Sequence, residues 1–250
     1  MAAFLLIDNS NSYTKFALSS TRQVGAVHRI RTETLSETNV KALVKSWKYE
    51  CVVLCSVVPT KRALFKKVFK NVTLIDVTAS TDLGVGIDYP APSTIGADRL
   101  ANAVAAAHLF KPPAVVVDFG TAVTFDILSK EGAYVGGVIA PGLESMTDYL
   151  HQRTAQLPKI TLLEPPGVIG KSTKHAMLAG AVYGYRGLIR EILSKIRQSL
   201  PKSKNLRIIA TGGDAKLIAA DLPEITDVIP KLTLEGLRLI GNRYCAKTHR

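Results

Sequence analysis

Two stretches of this chain can be laid over one another without a gap: LLIDNSNSYTKFAL (5–18) and VVVDFGTAVTFDIL (115–128). Asp8 then falls on Asp118, Ser10 on Gly120, Thr14 on Thr124 and Leu18 on Leu128. Each is an apolar run that ends on an acid, turns through small residues and becomes apolar again, the pattern of two antiparallel strands joined by a tight turn. One such hairpin constrains little. Two of them, each followed by a similar order of elements, point to a duplicated unit and to two domains of one architecture.

The surrounding pattern agrees. Strands are expected at about 3–8, 13–19 and 24–31, then a helix in SETNVKALVKSW, strand 51–57, a helix opened by Pro59 and strand 72–77. A Gly/Pro-rich loop, DLGVGIDYPAPS (82–93), leads into a helix from about 94 to 110, which Lys111-Pro112-Pro113 ends. The order then repeats: strands 114–118, 122–128 and 133–139, helices between about 141 and 199, strand 206–211, helix 214–221, a short strand near 226–229 and a final helix. Three meandering strands followed by crossover units give an α/β fold, a mixed sheet with flanking helices in each half. The proline pair sets the expected domains at 1–113 and 114–250.

The totals narrow the class. A chain of 250 residues with 47% hydrophobic content can bury a substantial core. No run approaches the eighteen or so apolar residues of a membrane span, and MAAFLLIDNS lacks a basic n-region and reaches Asp8 too soon for a signal peptide. The expected location is cytoplasmic, with no membrane partner. Cys51 and Cys55 share one apparent buried strand and cannot bridge each other, Cys245 lies far along the chain, and an odd total of three argues against a disulfide framework. The five histidines show no zinc-site spacing. Net charge is +12, but much of the excess sits in KRALFKKVFK (61–70), KIRQSLPKSKNLR (195–207) and the tail KTHR. The first two read as solvated faces of amphipathic helices without a groove-reading motif, so the charge is expected to serve solubility and to attract an anionic small molecule, and nucleic acid is not the expected partner.

The two Asp-bearing turns suit a nucleotide held in a cleft between domains. Small residues let the backbone approach phosphates, and acids face the cations that accompany them. The bland alternative is that Asp8 and Asp118 are ordinary turn residues; their matched context favours function. In RIIATGGDAKLI (207–218) a strand runs into Thr211-Gly212-Gly213 and then a helix, a setting for adenosine or phosphate against the backbone. Gly96-Ala97-Asp98-Arg99 falls in the first turn of a helix, where the dipole favours a carboxylate. Adjacent Asp98 and Arg99 point to different sides, so one can orient a hydroxyl while the other grips an anion. Asp118-Phe119-Gly120 is not a protein-kinase signature, because no Gly-rich loop, V-A-I-K strand or H-R-D accompanies it. PPGVIGKST (165–173) is not a Walker A loop, because proline stands where the first glycine is required.

Together these motifs resemble the type III pantothenate kinases, in the superfamily of acetate and sugar kinases, heat-shock chaperones and actin. The resemblance spans nearly the whole chain and is carried by DNSNSYTK (8–15), YPAPSTIGADR (89–99), DFGTAVT (118–124), GGVIAPG (136–142) and IGKSTKHAMLAG (169–180). It implies two duplicated RNase H-like (actin-like ATPase) domains with the nucleotide in the interdomain cleft, and ATP-dependent phosphorylation of pantothenate to 4'-phosphopantothenate, the first step of coenzyme A biosynthesis. Asp98 is then the base for the pantothenate hydroxyl. Tyr89, Gly96, Ala97, Asp98, Arg99 and Thr173 bind pantothenate, with Arg99 the partner of its carboxylate. Asp8, Asn9, Ser10, Asn11, Ser12, Tyr13, Thr14, Lys15 and Thr121 bind ATP, Lys15 pairing with phosphate oxygens, and Gly212 and Gly213 serve the nucleotide too. Asp118 holds a monovalent cation, potassium or ammonium, and magnesium arrives with ATP. A homodimer is implied, with the pantothenate site near its interface and Thr173 acting across it. Ser10 stands where the family has glycine and Ser12 where it has threonine; the first adds a side chain in the phosphate turn and implies weakened ATP binding. The rival reading is a non-catalytic regulatory or nucleic-acid-associated protein on the same fold, against which the intact Asp98, Arg99 and Asp118 argue.

Overall fold

The computed structural model describes residues 3–200 and 205–248, the last two of these by their backbone. The middle of the basic run 195–207 and the end of the basic tail lie outside the described residues.

Two five-stranded sheets carry the chain. Strands β1 (Phe4–Asn9), β2 (Tyr13–Ser19), β3 (Val24–Arg31), β4 (Cys51–Ser56) and β5 (Thr73–Asp76) lie in the order β3-β2-β1-β4-β5. Strands β6 (Ala114–Phe119), β7 (Ala122–Leu128), β8 (Tyr134–Pro141), β9 (Arg207–Gly212) and β10 (Asp227–Val228) lie in the order β10-β9-β6-β7-β8. Read from its other end, the second sheet repeats the first strand for strand. The first hairpin of each is antiparallel, while β4 and β9 join β1 and β6 in parallel. The duplication is therefore one of topology.

The gapless match of the two hairpins holds for the first strand of each and slips by one in the second. Asn9 pairs with Thr14 across the turn Ser10–Tyr13, and Phe119 pairs with Val123 across Gly120–Ala122, one residue shorter. The counterpart of Thr14 is thus Val123, and Lys15 corresponds to Thr124. Side-chain alternation enforces this correction, because a one-residue slip would turn every core residue outward. The burial patterns of β2 and β7 agree from their second residue onward only in the shifted register.

Local sequence explains the flanking helices. Helix α1 (Glu37–Val44) opens on a capping box in which Ser36 and Asn39 bond each other's backbone N–H. Helix α2 (Pro59–Val68) has proline at its start, where the missing N–H costs nothing. They cover one face of the first sheet, where Leu5, Ile7, Val52 and Leu54 meet Val40, Phe65 and Phe69. In the second sheet Val115, Val117, Ile208 and Ala210 pack with Leu178, Val182 and Ile189 of α5 (Thr173–Ser199) and Ile218 of α6 (Ala215–Ala219). Val115, Val116 and Val117 are all fully buried, as expected of a strand covered on both faces.

The compact units are not two contiguous halves. One gathers the chain up to Lys111, Gly132–Val135 and the chain from Lys231 onward; the other holds Pro112–Glu131 and Gly136–Pro230. The expectation of a single boundary at 113 thus differs from the structure in the last helix, α7 (Leu232–Thr248), which packs on α3 (Ala97–Leu109) of the first unit. Small residues permit this close contact. A Cβ at Gly236 would run into the Ala101 carbonyl, and Thr233 Oγ1 donates to Asn102 Oδ1 at 2.9 Å. Substituting Gly236→Ala forces the two helices apart and is expected to lower unfolding free energy by about 2–3 kcal/mol. Urea denaturation checks this; a midpoint unchanged from wild type contradicts the contact.

Candidate active site

The first hairpin turn is built around a buried acid. Asp8, the last residue but one of β1, is 1% exposed, and an unpaired carboxylate at that depth would cost several kcal/mol. Lys15 answers it across the ladder, with Nζ 2.8 Å from Asp8 Oδ2, and Ser10 Oγ donates to Asp8 Oδ1 at 3.0 Å. The serine at position 10 therefore turns its side chain onto Asp8. Lys15 remains 27% exposed, so its ammonium can also reach a phosphate oxygen.

Asn9 and Thr14, expected at the nucleotide, are fully buried. Asn9 Nδ2 donates to Thr14 Oγ1 at 2.8 Å, Ser56 Oγ donates to Asn9 Oδ1 at 2.7 Å, and Thr32 Oγ1 lies 3.0 Å from Thr14 Oγ1 and donates to the Ser10 carbonyl at 2.7 Å. Their side chains fix the shape of the turn. Asn11, Ser12 and Tyr13 are the exposed members of the turn. Arg31 lies over the Tyr13 ring at 5.9 Å. Thr32 and Ser56 were not legible as partners, since nothing local marks a threonine or serine as a network member.

Asp98 lies in the first turn of α3, whose N-cap is Gly96. Asp98 Oδ1 accepts from the Arg99 backbone N–H at 2.8 Å, and a Cβ on Gly96 would fall 2.5 Å from that same oxygen. Glycine at 96 is thus the space the carboxylate occupies. Burial pushes the Cys55 thiol well up, and the charges of Asp8 and then Asp98 push it further. Cys55 pairs with Asp8 in the parallel ladder, near the C-terminal ends of β1 and β4. The stretch from Gly86 to Arg99 is held by a residue that sequence reasoning missed, Tyr134, buried at 1% exposure. Its backbone bonds Gly86 and Asp88 at 2.8 Å each, Tyr89 meets its ring edge-on at 6.1 Å, and the Arg99 guanidinium lies over it at 5.7 Å. Ala97 is buried, and Tyr89 is exposed.

In the second unit Asp118 is half-buried at the end of β6, beside Thr211 of β9. The loops around it interlock. Gly212 has φ +96° and no room for a Cβ against the Phe119 backbone, and Gly213 N–H donates to the Phe119 carbonyl at 2.9 Å. Gly142, N-cap of α4 (Leu143–Arg153), donates to the Thr121 carbonyl at 3.0 Å, and Ser145 Oγ donates to it at 2.8 Å. The turn carrying Gly120 and Thr121 is exposed. Asp214, also not anticipated, follows the Gly-Gly pair. Burial and then the neighbouring Glu144 raise its carboxyl above the ordinary range. Thr173 is the exposed first residue of α5, whose Ser172 cap accepts from His175 N–H at 3.2 Å.

The sequence comparisons decide which chemistry this arrangement serves. The family model for type III pantothenate kinase matches residues 4–195. The chain belongs to the type III pantothenate kinase family. A type III pantothenate kinase of Akkermansia muciniphila is 49% identical over 94% of this chain and 97% of its own length, and one of Methylacidiphilum infernorum is 43% identical over 95% and 87%. The solved inorganic polyphosphate/ATP-glucomannokinase of Arthrobacter sp. strain KM shares the fold, with a TM-score of 0.53 at 13% identity over 99% of this chain and 100% of that one. Among the described residues no helix is long and apolar enough to cross a membrane.

Asp214 sits in this kinase-family chain at a cost to stability. Its raised carboxyl means that the folded state favours the neutral acid, so the ionised form destabilises above that point. Asp214→Asn is expected to raise Tm at about pH 7, and the gain should fade as pH falls toward and below the ordinary aspartate value of 3.8, where the acid is neutral in both states. Tm against pH for both proteins checks this; a gain of constant size at every pH contradicts it.

Proposed function

We propose that this chain transfers the γ-phosphoryl group of ATP to the primary hydroxyl of pantothenate, with Asp98 as the catalytic base. The observation that carries the reading is the constructed setting of Asp98 in a chain of this family. Its carboxylate is fixed by the Arg99 N–H and given room by Gly96, and its charge is felt at the buried Cys55 of β4. Phosphoryl transfer passes through a loose transition state, so positioning and charge matter more than forming an alkoxide. Asp98 orients the hydroxyl and accepts its proton late. Arg99, steadied on Tyr134, receives the pantothenate carboxylate, with Tyr89, Gly96 and Ala97 lining the acceptor.

On the donor side we assign nucleotide contacts to Asp8, Ser10, Asn11, Ser12, Tyr13, Lys15, Thr121, Gly212 and Gly213, and a supporting role to Asn9 and Thr14. Asp118 is the residue for potassium or ammonium. One half-exposed carboxylate at a turn suits a monovalent cation. Magnesium arrives with the ATP phosphates, whose oxygens suit so hard a cation. When bound, these cations screen phosphate charge. For the homodimer, the support is an apolar groove of 330 Å³ between α4 and α5, lined by residues including Met146, Leu150, Met177 and Ala181, with Met146, Tyr149 and Leu150 exposed. Thr173, Met177 and Ala181 recur at four-residue spacing on one face of α5, which supports placing Thr173 beside the partner's acceptor site. No observation favours the regulatory or nucleic-acid reading.

Steady-state kinetics with pantothenate and ATP test the assignment. Asp98→Asn is expected to lower kcat by about 10²–10⁴-fold with pantothenate KM little changed, and wild-type turnover to fall when potassium is replaced by sodium. Full turnover by Asp98→Asn would remove the base from the account. Gly96→Ala, which displaces the same carboxylate without altering its charge, is expected to lower kcat by about 10²-fold; unchanged kcat would show that the Asp98 position is not constrained.

A further inference from the structure

The cysteines far apart in sequence meet in the fold. Phe4 pairs with Cys51 and Leu6 with Val53 in the parallel ladder of β1 and β4. Side chains alternate across a strand, so Phe4, Leu6, Cys51, Val53 and Cys55 share the face opposite Leu5, Ile7, Val52 and Leu54, which α1 and α2 cover. Helix α7 is seated on the first face through Gly241, where a Cβ would lie 3.0 Å from Phe4 Cε1 and 3.1 Å from Val53 Cγ2. From Gly241 to Cys245 is about one helical turn, roughly 6 Å. From Val53 back to Cys51 is two strand residues, roughly 6.6 Å. The two steps are alike in length, so a helix that runs against β4 sets Cys245 over Cys51. The Cys51 thiol registers this neighbour: burial, then the adjacent Cys245 sulfur with which it is hydrogen-bonded, push it up to about 12. All three cysteines are free thiols here, and Cys245 is the half-exposed one.

We propose that Cys51 and Cys245 form a reversible dithiol–disulfide site, closed by peroxide or by a low-molecular-weight disulfide, that ties the C-terminal helix to strand β4. Cys245 meets the oxidant first. With hydrogen peroxide, its sulfur attacks one oxygen, the O–O bond breaks, and a sulfenic acid and water result. Cys51 then attacks the Cys245 sulfur; the S–S bond forms, the S–O bond breaks, and hydroxide leaves with the Cys51 proton as a second water. Two thiols lose two electrons and one peroxide gains them. Burial disfavours the Cys51 thiolate, but its placement against the sulfenic sulfur replaces a bimolecular encounter with an intramolecular step. Cys55 lies on the same face but is fully buried beside Asp8 and Asp98, out of reach of the oxidant. The link closes a long loop, from Cys51 to Cys245, and α7 braces α3, so the oxidised form resists unfolding. The proposal does not depend on the kinase reading.

Purified full-length protein is treated with hydrogen peroxide or oxidised glutathione, alkylated under denaturing conditions and mapped without reductant. The expected result is a peptide joining Cys51 to Cys245, a fall in free thiols from three to one, and a Tm rise of about 5–10 °C that dithiothreitol reverses. Cys245→Ser and Cys51→Ser should each lose the linked peptide and the Tm rise, while Cys55→Ser keeps both. Recovery of Cys245 as a sulfinic acid or mixed disulfide with Cys51 still a thiol overturns the proposal, as does a link that survives Cys245→Ser.

Discussion

Parallel pairing of the first strand of each sheet with the strand that returns beside it is the constraint on which the rest depends. It sets Asp8 opposite Cys55 and Asn9 opposite Ser56 in one unit, and Asp118 opposite Thr211 and Phe119 opposite Gly212 in the other. Two parallel strands end at the same edge, so the loops that follow them collect there, and ligands of open α/β sheets bind at such carboxyl ends. The turn after Asp8 and the loop after Ser56 reach one edge because of this pairing. So do the turn after Asp118 and the Gly-Gly loop. An antiparallel partner would send its loop to the far edge and scatter the same residues.

Once gathered, the loops are kept in shape by buried polar groups that are satisfied. The Asn9–Thr14–Thr32–Ser56 network and the Asp8–Lys15 pair form a floor beneath the first turn. In the second unit the Phe119 and Thr121 carbonyls take donors from the Gly212–Gly213 loop and the start of α4. Such networks have high stakes, because removing one partner leaves a buried group without compensation. Asp214 is the opposite case, an acid whose burial beside the same loop raises it above the ordinary range.

The fold was legible because its signals are local and periodic. Strand alternation, Pro59, the Lys111-Pro112-Pro113 stop and the Asp-ended hairpins all act within a few residues, and the elements fall close to their expected bounds. The place of Asp98 and Arg99 in the first turn of a helix was legible from the Gly-Ala-Asp-Arg run. What escaped depends on distant pairing. The one-residue difference between the two turns appears only when cross-strand partners are known. Tyr134 looks like any strand tyrosine until its ring is found under Arg99 and beside Tyr89. The inward turn of Asn9 and Thr14 follows from Thr32 and Ser56, and the return of α7 to the first unit from the close contact of Gly236 with Ala101.

The central claim is that this chain phosphorylates pantothenate. Phosphorus-31 NMR of a reaction containing the protein, ATP, magnesium, potassium and pantothenate tests it most directly, because it reports the fate of the phosphoryl group itself. The account predicts that the γ-phosphate signal is replaced, one for one, by ADP and a phosphomonoester that forms only when pantothenate is present. ADP with inorganic phosphate and no phosphomonoester, or an unchanged ATP spectrum from folded protein, would contradict it.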